Sequence, residues 1–361
     1  ADPLAEKFVQ EVVEVIGYPK ARAMLDQALQ DGVSSLASAP DALFDLFADL
    51  EEDPSWVNWR EIEHGAKVFR RFGSAVFKFA GAITLQGYFE NSVAKALILS
   101  GGYEGDTTRN RFLETASFWI DVSEPGALRF GEKGRSAAMR VRIMHVFVRR
   151  RLQEHPEWNT EAWGVPISQG DAALTLMGGS VAPGLAMQAM GFRPSRRDIE
   201  ALLQFWRYVG HVMGVRPRWY PNTVEEALQL AFVSFVKGAR QAGDEGVRLS
   251  QSYANSFAPP PGLPPRERLR ASIDYGLHLG YTRFFLPAGT YRANDLPAAG
   301  LWGLHPLLQF PFVFAAESLR RRVPGLDKIA DRVARRQRKR WFDRMRRGHT
   351  ASFAPPETLA R

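Results

Sequence analysis

The stretch RVRIMHVFVRR, residues 140–150, decides how this chain is read. At ~100° per residue, Val141, Met144, His145, Val148 and Leu152 fall within one stripe of a helix otherwise studded with arginine. An imidazole in such a stripe must find a partner or stay neutral, because burying its charge is costly. Two readings stand at this point. His145 is either a core histidine bonded to a backbone carbonyl, or an axial ligand to a metal or haem iron.

Working outward, the apolar periodicity predicts helices over 4–17, 20–31, 40–50, 60–72, 74–100, 107–121, 134–154, 169–190, 195–214, 223–241, 264–280 and 303–322. Two starts carry capping boxes, Ser195 with Asp198 and Thr223 with Glu226. Stops are marked by Gly191 before Pro194 and Gly214 before Pro217. Gly101-Gly102-Tyr103-Glu104-Gly105-Asp106 and Asp244-Glu245-Gly246 read as turns, and residues 259–265 as a proline-rich connector. No alternation of strands is visible. The expected fold is all-α, a single helical bundle over 1–317 followed by a basic segment over 318–361.

The chain has 361 residues, 45% hydrophobic, enough for one large core. It has no cysteine, which excludes thiolate nucleophiles, disulfides, iron–sulfur clusters and thiolate-bound or covalently attached haem. The net charge of +8 is localised. Ser318–Gly348 holds thirteen Lys/Arg against three Asp, a net of +10, so the remainder is −2. A basic run confined to one end suits an anionic surface better than nucleic acid, and no nucleic-acid motif is present. Leu296–Ala316 carries no formal charge, but Pro297, Pro306 and Pro311 interrupt it, so it reads as a buried or membrane-grazing segment. The first 20 residues lack the basic flank and apolar run of a signal peptide. The expected location is the cytoplasm or a membrane periphery, with secretion left open because a leader can precede Ala1.

On a second helix Arg111, Glu114, Thr115 and Phe118 share a face through i, i+3, i+4 and i+7 spacing. A guanidinium, a carboxylate and a hydroxyl beside an aromatic ring either form a surface pair or line a small-molecule pocket. Glu61-Ile62-Glu63-His64 supplies one E-x-x-H, but a di-iron bundle needs two, and no second occurs. His211 lies off the apolar stripe of its helix and reads as partly exposed; His155, His278, His305 and His349 have no role assigned.

Four blocks in order carry a resemblance. They are Arg111 to Thr115 (R-x-x-x-T), Arg142–His145–Arg149 (R-x-x-H-x-x-x-R), Trp163-Gly164-Val165-Pro166-Ile167-Ser168-Gln169-Gly170-Asp171 with Thr175, and Trp206-Arg207-Tyr208 through Gly210 to Gly214-Val215. With these the chain resembles the MpaB and latex-clearing-protein (rubber oxygenase) superfamily of haem-b proteins. The resemblance implies a globin-like bundle around haem b, with His145 as proximal iron ligand and Arg111 and Thr115 on the distal side. The rubber oxygenases carry a lysine where this chain has Glu114, so rubber cleavage itself is put in doubt while haem binding is retained.

The expected activity is that of a haem-dependent oxygenase-like enzyme, using O₂ or peroxide on an apolar isoprenoid or lipid-like substrate. Arg142 and Arg149 are expected to meet haem propionates. Arg111 and Thr115 would donate to an oxygen, Glu114 would relay a proton, and Phe112, Phe118 and Trp119 would keep the site dry. The basic segment and Leu296–Ala316 are expected to contact an anionic membrane peripherally. The alternatives are a haem- or lipid-binding protein without turnover, or peroxide or cyclisation-type chemistry.

Overall fold

Helix formation here is set by local chemistry that packing then exploits. In the helix Arg196–Val212 the Ser195 hydroxyl accepts from the Asp198 N–H at 3.1 Å, and the Asp198 carboxylate accepts from the Ser195 N–H at 2.9 Å. This reciprocal cap satisfies two end donors before the buried stripe of Ile199, Leu202, Leu203, Trp206 and Val209 begins.

A computed structural model describes residues 2–88, 90–101, 106–238 and 243–346. The chain begins with α1 (Pro3–Phe8), a π-helical turn at Val9–Val13, α2 (Glu14–Ile16), α3 (Tyr18–Asp31) and α4 (Asp41–Ala48). The centre of the chain forms α5 (Trp59–Arg71), α6 (Ala75–Gly87), α7 (Asn91–Leu99), α8 (Asp106–Ser123) and α9 (Lys133–Glu154). After α10 (Thr160–Trp163) come α11 (Gln169–Gly179), α12 (Val181–Ala186), α13 (Arg196–Val212), α14 (Val224–Gly238) and α15 (Gly243–Asn255). The chain continues through α16 (Pro265–Phe285), α17 (Ala288–Ala293), α18 (His305–Arg322) and α19 (Leu326–Arg346). Among the described residues there is no strand, as the periodicity predicts.

α5 and α13 pack most extensively and form the centre. They approach closely because Gly65 has no side chain: a Cβ there would lie 2.1 Å from the Ala201 carbonyl oxygen. Around this pair Phe69, Trp119, Phe205 and Trp206 interlock at 5.3–6.2 Å between ring centroids, edge to face except for the tilted Phe69–Phe205 pair.

The structure revises three of the predicted segments. Helix 74–100 divides at Gly87–Tyr88, and 169–190 divides at Ser180, three residues before Pro183. Asp244-Glu245-Gly246 is not a turn but the first turn of α15, where two acids face the positive helix end. Of the glycine-rich stretch 101–106, residues 102–105 lie outside the described residues, as does His349.

The basic C-terminal segment contributes α19, which lies on α5 and α8. Its Ala334, Arg338, Trp341 and Met345 form a buried stripe at helical spacing. Trp341 stacks on Phe77 at 4.7 Å. Arg338, fully buried, donates to the Ser123 hydroxyl and to Glu124, each at 2.7 Å. Burial pulls its guanidinium down to about 10, against the attraction of Glu124.

Candidate functional site

α8 and α9 form an antiparallel hairpin closed by the loop 124–132. Gly134 sets its base, because a Cβ there would lie 2.8 Å from the carbonyl oxygens of Asp121 and Ala127. His145 lies 145 − 134 = 11 residues along α9 from that contact, and Arg111 lies 121 − 111 = 10 residues back along α8. At 1.5 Å per residue these are about 16 and about 15 Å, so the two side chains sit at one level of the hairpin.

At that level the helices look outward to different neighbours. α9 reaches α1 and α3 through Arg142, Arg149 and Arg140. α8 reaches α15 and α19 through Phe112, whose ring meets Tyr253, Phe257 and Trp341 at 5.4–6.3 Å.

The sealed face of α9 follows the predicted stripe only in part. Val141 and Leu152 are buried together with Arg142, Ile143, Val146 and Arg149, whereas Met144, His145 and Val148 retain accessible surface. α8 behaves likewise: Phe112, Leu113 and Ala116 are sealed, Arg111 and Glu114 are half-buried, and Thr115 is exposed. The faces that carry the candidate chemistry are therefore those that keep access.

The His145 ring has no hydrogen-bond partner among the described residues. Burial, reinforced by the Arg149 charge, lowers its pKa to about 4, so it is a neutral imidazole at physiological pH. Arg111 Nη1 lies 3.5 Å from Glu114 Oε2. The Thr115 hydroxyl donates to the Arg111 carbonyl at 3.2 Å.

Arg142 and Arg149 are committed to protein acceptors. Arg142 grips Asp2 through Nε (2.6 Å) and Nη2 (2.9 Å) and reaches Asp49 at 3.2 Å. Arg149 donates to the carbonyls of Pro166 and Ile167, each at 3.2 Å, and to Glu6 at 3.1 Å. The expected propionate contact is thus replaced, in this structure, by a bracing role. Ile167, a β-branched residue at φ +51°, is held in the left-handed region by this contact.

The loop it stabilises ends in the Ser168–Asp171 capping box that opens α11. Gln169 then donates to the Gly214 carbonyl at 3.1 Å. Gly214, at φ +74°, leaves room for the Arg142–Asp2 pair: a Cβ there would lie 2.1 Å from Asp2 Oδ2. Three of the four sequence blocks are thereby tied together behind His145. Asp2, Glu6 and Asp49 belong to this brace, and nothing in their local pattern distinguishes them from ordinary helix-end acids. Gly214→Ala is expected to destabilise the protein by about 2–4 kcal/mol, through both strain and displacement of the pair. A urea titration showing a loss below about 1 kcal/mol would contradict the brace.

Three other histidines sit in different surroundings. His64 Nε2 lies 2.7 Å from Asp198, and no group of three metal-ligating side chains occurs among the described residues. His211 is buried rather than partly exposed, against the rings of Trp56 and Tyr208 at 5.9 and 5.8 Å. His278 is buried against Phe257 at 3.9 Å. Burial holds both near about 3, against 6.5 for a free imidazole. As pH falls, the unfolded chain binds protons first. Stability present above about pH 6.5 is therefore lost progressively from there towards about pH 3, by a few kcal/mol per histidine. Urea midpoints that stay level from pH 7 to pH 4 would contradict this.

Residues 66–316 match the family model described as ER-bound oxygenase mpaB/B'/Rubber oxygenase, catalytic domain. The chain belongs to this family. Among curated members it is 24% identical over 231 residues to the rubber oxygenase of Streptomyces sp. strain K30. That match covers 63% of this chain but only 56% of the relative's length. A solved structure of the latex clearing protein LCP in the closed state superposes with a TM-score of 0.65 at 20% identity, covering 94% of this chain and 89% of that one. The family's all-helical fold is therefore shared along almost the whole chain.

Proposed function

We propose that the protein is a haem-b-dependent oxygenase-like enzyme acting on an apolar, isoprenoid or lipid-like substrate, with His145 as the iron's proximal ligand. One observation carries the reading. The imidazole of His145 is neutral, has no described hydrogen-bond partner, and stands on an accessible face within a mostly buried helix. His278 also leaves Nε2 unpartnered, but it is sealed in the core; His145 is only half-buried, so its lone pair stays within reach of a ligand. The donor set therefore fits haem iron, which takes a neutral histidine ligand.

When bound, haem b would supply the redox chemistry towards O₂ or peroxide. The chain's own residues do the rest. Arg142 and Arg149 fix α9 against α1 and the 166–168 loop, so that His145 is presented in one orientation. On α8, Arg111 would offer donors to an oxygen-centred reactant, and Glu114 beside it would accept or return a proton. Phe112, Phe118 and Trp119 are largely sealed and limit water on the inner side of α8.

A second reading, haem binding without turnover, is favoured by Thr115, whose hydroxyl is spent on its own helix. Comparison of ferric, ferrous and CO-bound absorption spectra tests haem binding itself. O₂ uptake in the presence of a long-chain polyene separates the two readings, since the binder would give none. A colourless protein that hemin cannot reconstitute would overturn both.

A further inference from the structure

A groove of about 550 Å³ opens where α6, α16, α18 and α19 meet. Its volume lies within the range of small-molecule sites. The floor is apolar, built from Phe72, Met190, Phe192, Phe312 and Val313. Every charged side chain that lines it is a cation, namely Lys78, Arg340 and Arg344.

Lys78 is the informative one. Its ammonium lies 4.8 Å from the centre of the Tyr281 ring and forms no ion pair with a described carboxylate. Burial lowers its pKa to about 8, partly offset by Asp274 and reinforced by Arg344. A cation removed from water without a direct anion is costly unless a ligand supplies the charge. Arg344 reaches Asp274 only at 3.9 Å, and Arg340 has no described partner.

Phe312 also belongs to a second surface. Leu304, just before α18, and Leu308, Phe312 and Leu319 on it are 52, 67, 76 and 55% exposed and lie along one side of the helix. Soluble surfaces rarely leave such a stripe open, and an apolar face beside cations is the composition of an interfacial helix. Arg321 and Arg322 follow it, both exposed. No helix among the described residues is long and apolar enough to cross a membrane.

We propose that this groove holds one anionic phospholipid, its phosphate between Lys78, Arg340 and Arg344 and its acyl chain over Phe312 and the apolar floor. The outer stripe of α18 then rests in the bilayer that supplies the lipid. The charge pattern selects the occupant: an apolar floor alone accepts any chain, and the three cations require an anion at its end.

The test is co-sedimentation of the full chain with mixed phosphatidylglycerol–phosphatidylcholine vesicles, against phosphatidylcholine alone. Binding should be at least roughly tenfold stronger to the mixed vesicles, because each engaged cation adds attraction to an anionic surface. Arg340→Gln/Arg344→Gln, both exposed and so tolerated by the fold, should lose most of that preference. Arg332→Gln/Lys339→Gln, exposed on another side of α19, should keep it. Phe312→Ser should weaken binding to both kinds of vesicle. Equal loss from the two cation pairs would show diffuse attraction and overturn the site. Equal binding to both vesicles, or an unchanged Phe312→Ser variant, would do the same. Lys78 should be protected from amine acylation by short-chain phosphatidylglycerol and not by inorganic phosphate; equal protection would mean a free-anion site. Concentration-dependent self-association abolished by Phe312→Ser would mean that a second copy, not a bilayer, covers α18. None of these readouts involves haem, so the outcome is independent of the role of His145.

Discussion

His145→Ala is expected to abolish the Soret absorption of the purified protein while leaving its helical circular dichroism intact. The ring has no described hydrogen-bond partner and is only half-buried, so its removal should cost about 1–2 kcal/mol of folding free energy. Loss of the proposed proximal ligand, by contrast, should lower haem affinity on the order of 100-fold or more. Added imidazole should restore part of the band by occupying the vacated volume. A structural histidine predicts the reverse pattern: a lowered urea midpoint, an unchanged spectrum and no response to imidazole. The two readings left open by the sequence are thus separated in one preparation. Glu114→Gln should leave the band in place and slow only steps that move a proton.

The second large effect is expected at Arg142. Its guanidinium is 2% exposed and neutralises Asp2, with Asp49 adjoining. Arg142→Ala strands a buried carboxylate, which costs about 3–5 kcal/mol. Adding Asp2→Asn to that variant should recover a large part, because the stranded charge is then gone. A single variant within about 1 kcal/mol of wild type, measured by urea denaturation, would show that the pair is spectator. A double variant no better than the single would show that packing, not charge, is the source.

The helical architecture was legible because most elements carry both an apolar period and an end signal, as Ser195–Asp198 and Thr223–Glu226 do. α19 was not, since its buried stripe includes Arg338 and its composition is so basic that the spacing of Ala334, Trp341 and Met345 is masked. α15 was hidden by Gly246 in its first turn. At the candidate site the polar positions of α8 and α9 were visible from spacing, but their surroundings were not. Arg142 and Arg149 meet acids 140 and 143 residues away in the chain, a separation no local pattern encodes. The left-handed Ile167 is likewise visible only once Arg149 is seen to hold it.

The clasp from Asp2 and Glu6 at one end and the Trp341 plug at the other both lie beyond the family-matched span of 66–316. A gene trimmed to that span would therefore express a product with Arg142 deprived of Asp2 and Asp49, and with bare aromatic surface at Phe77 and Phe112. Such a product also lacks the first half of α5 with Gly65 and should accumulate in inclusion bodies, and supplying residues 2–65 and 317–346 as separate peptides should rescue it only if both are present.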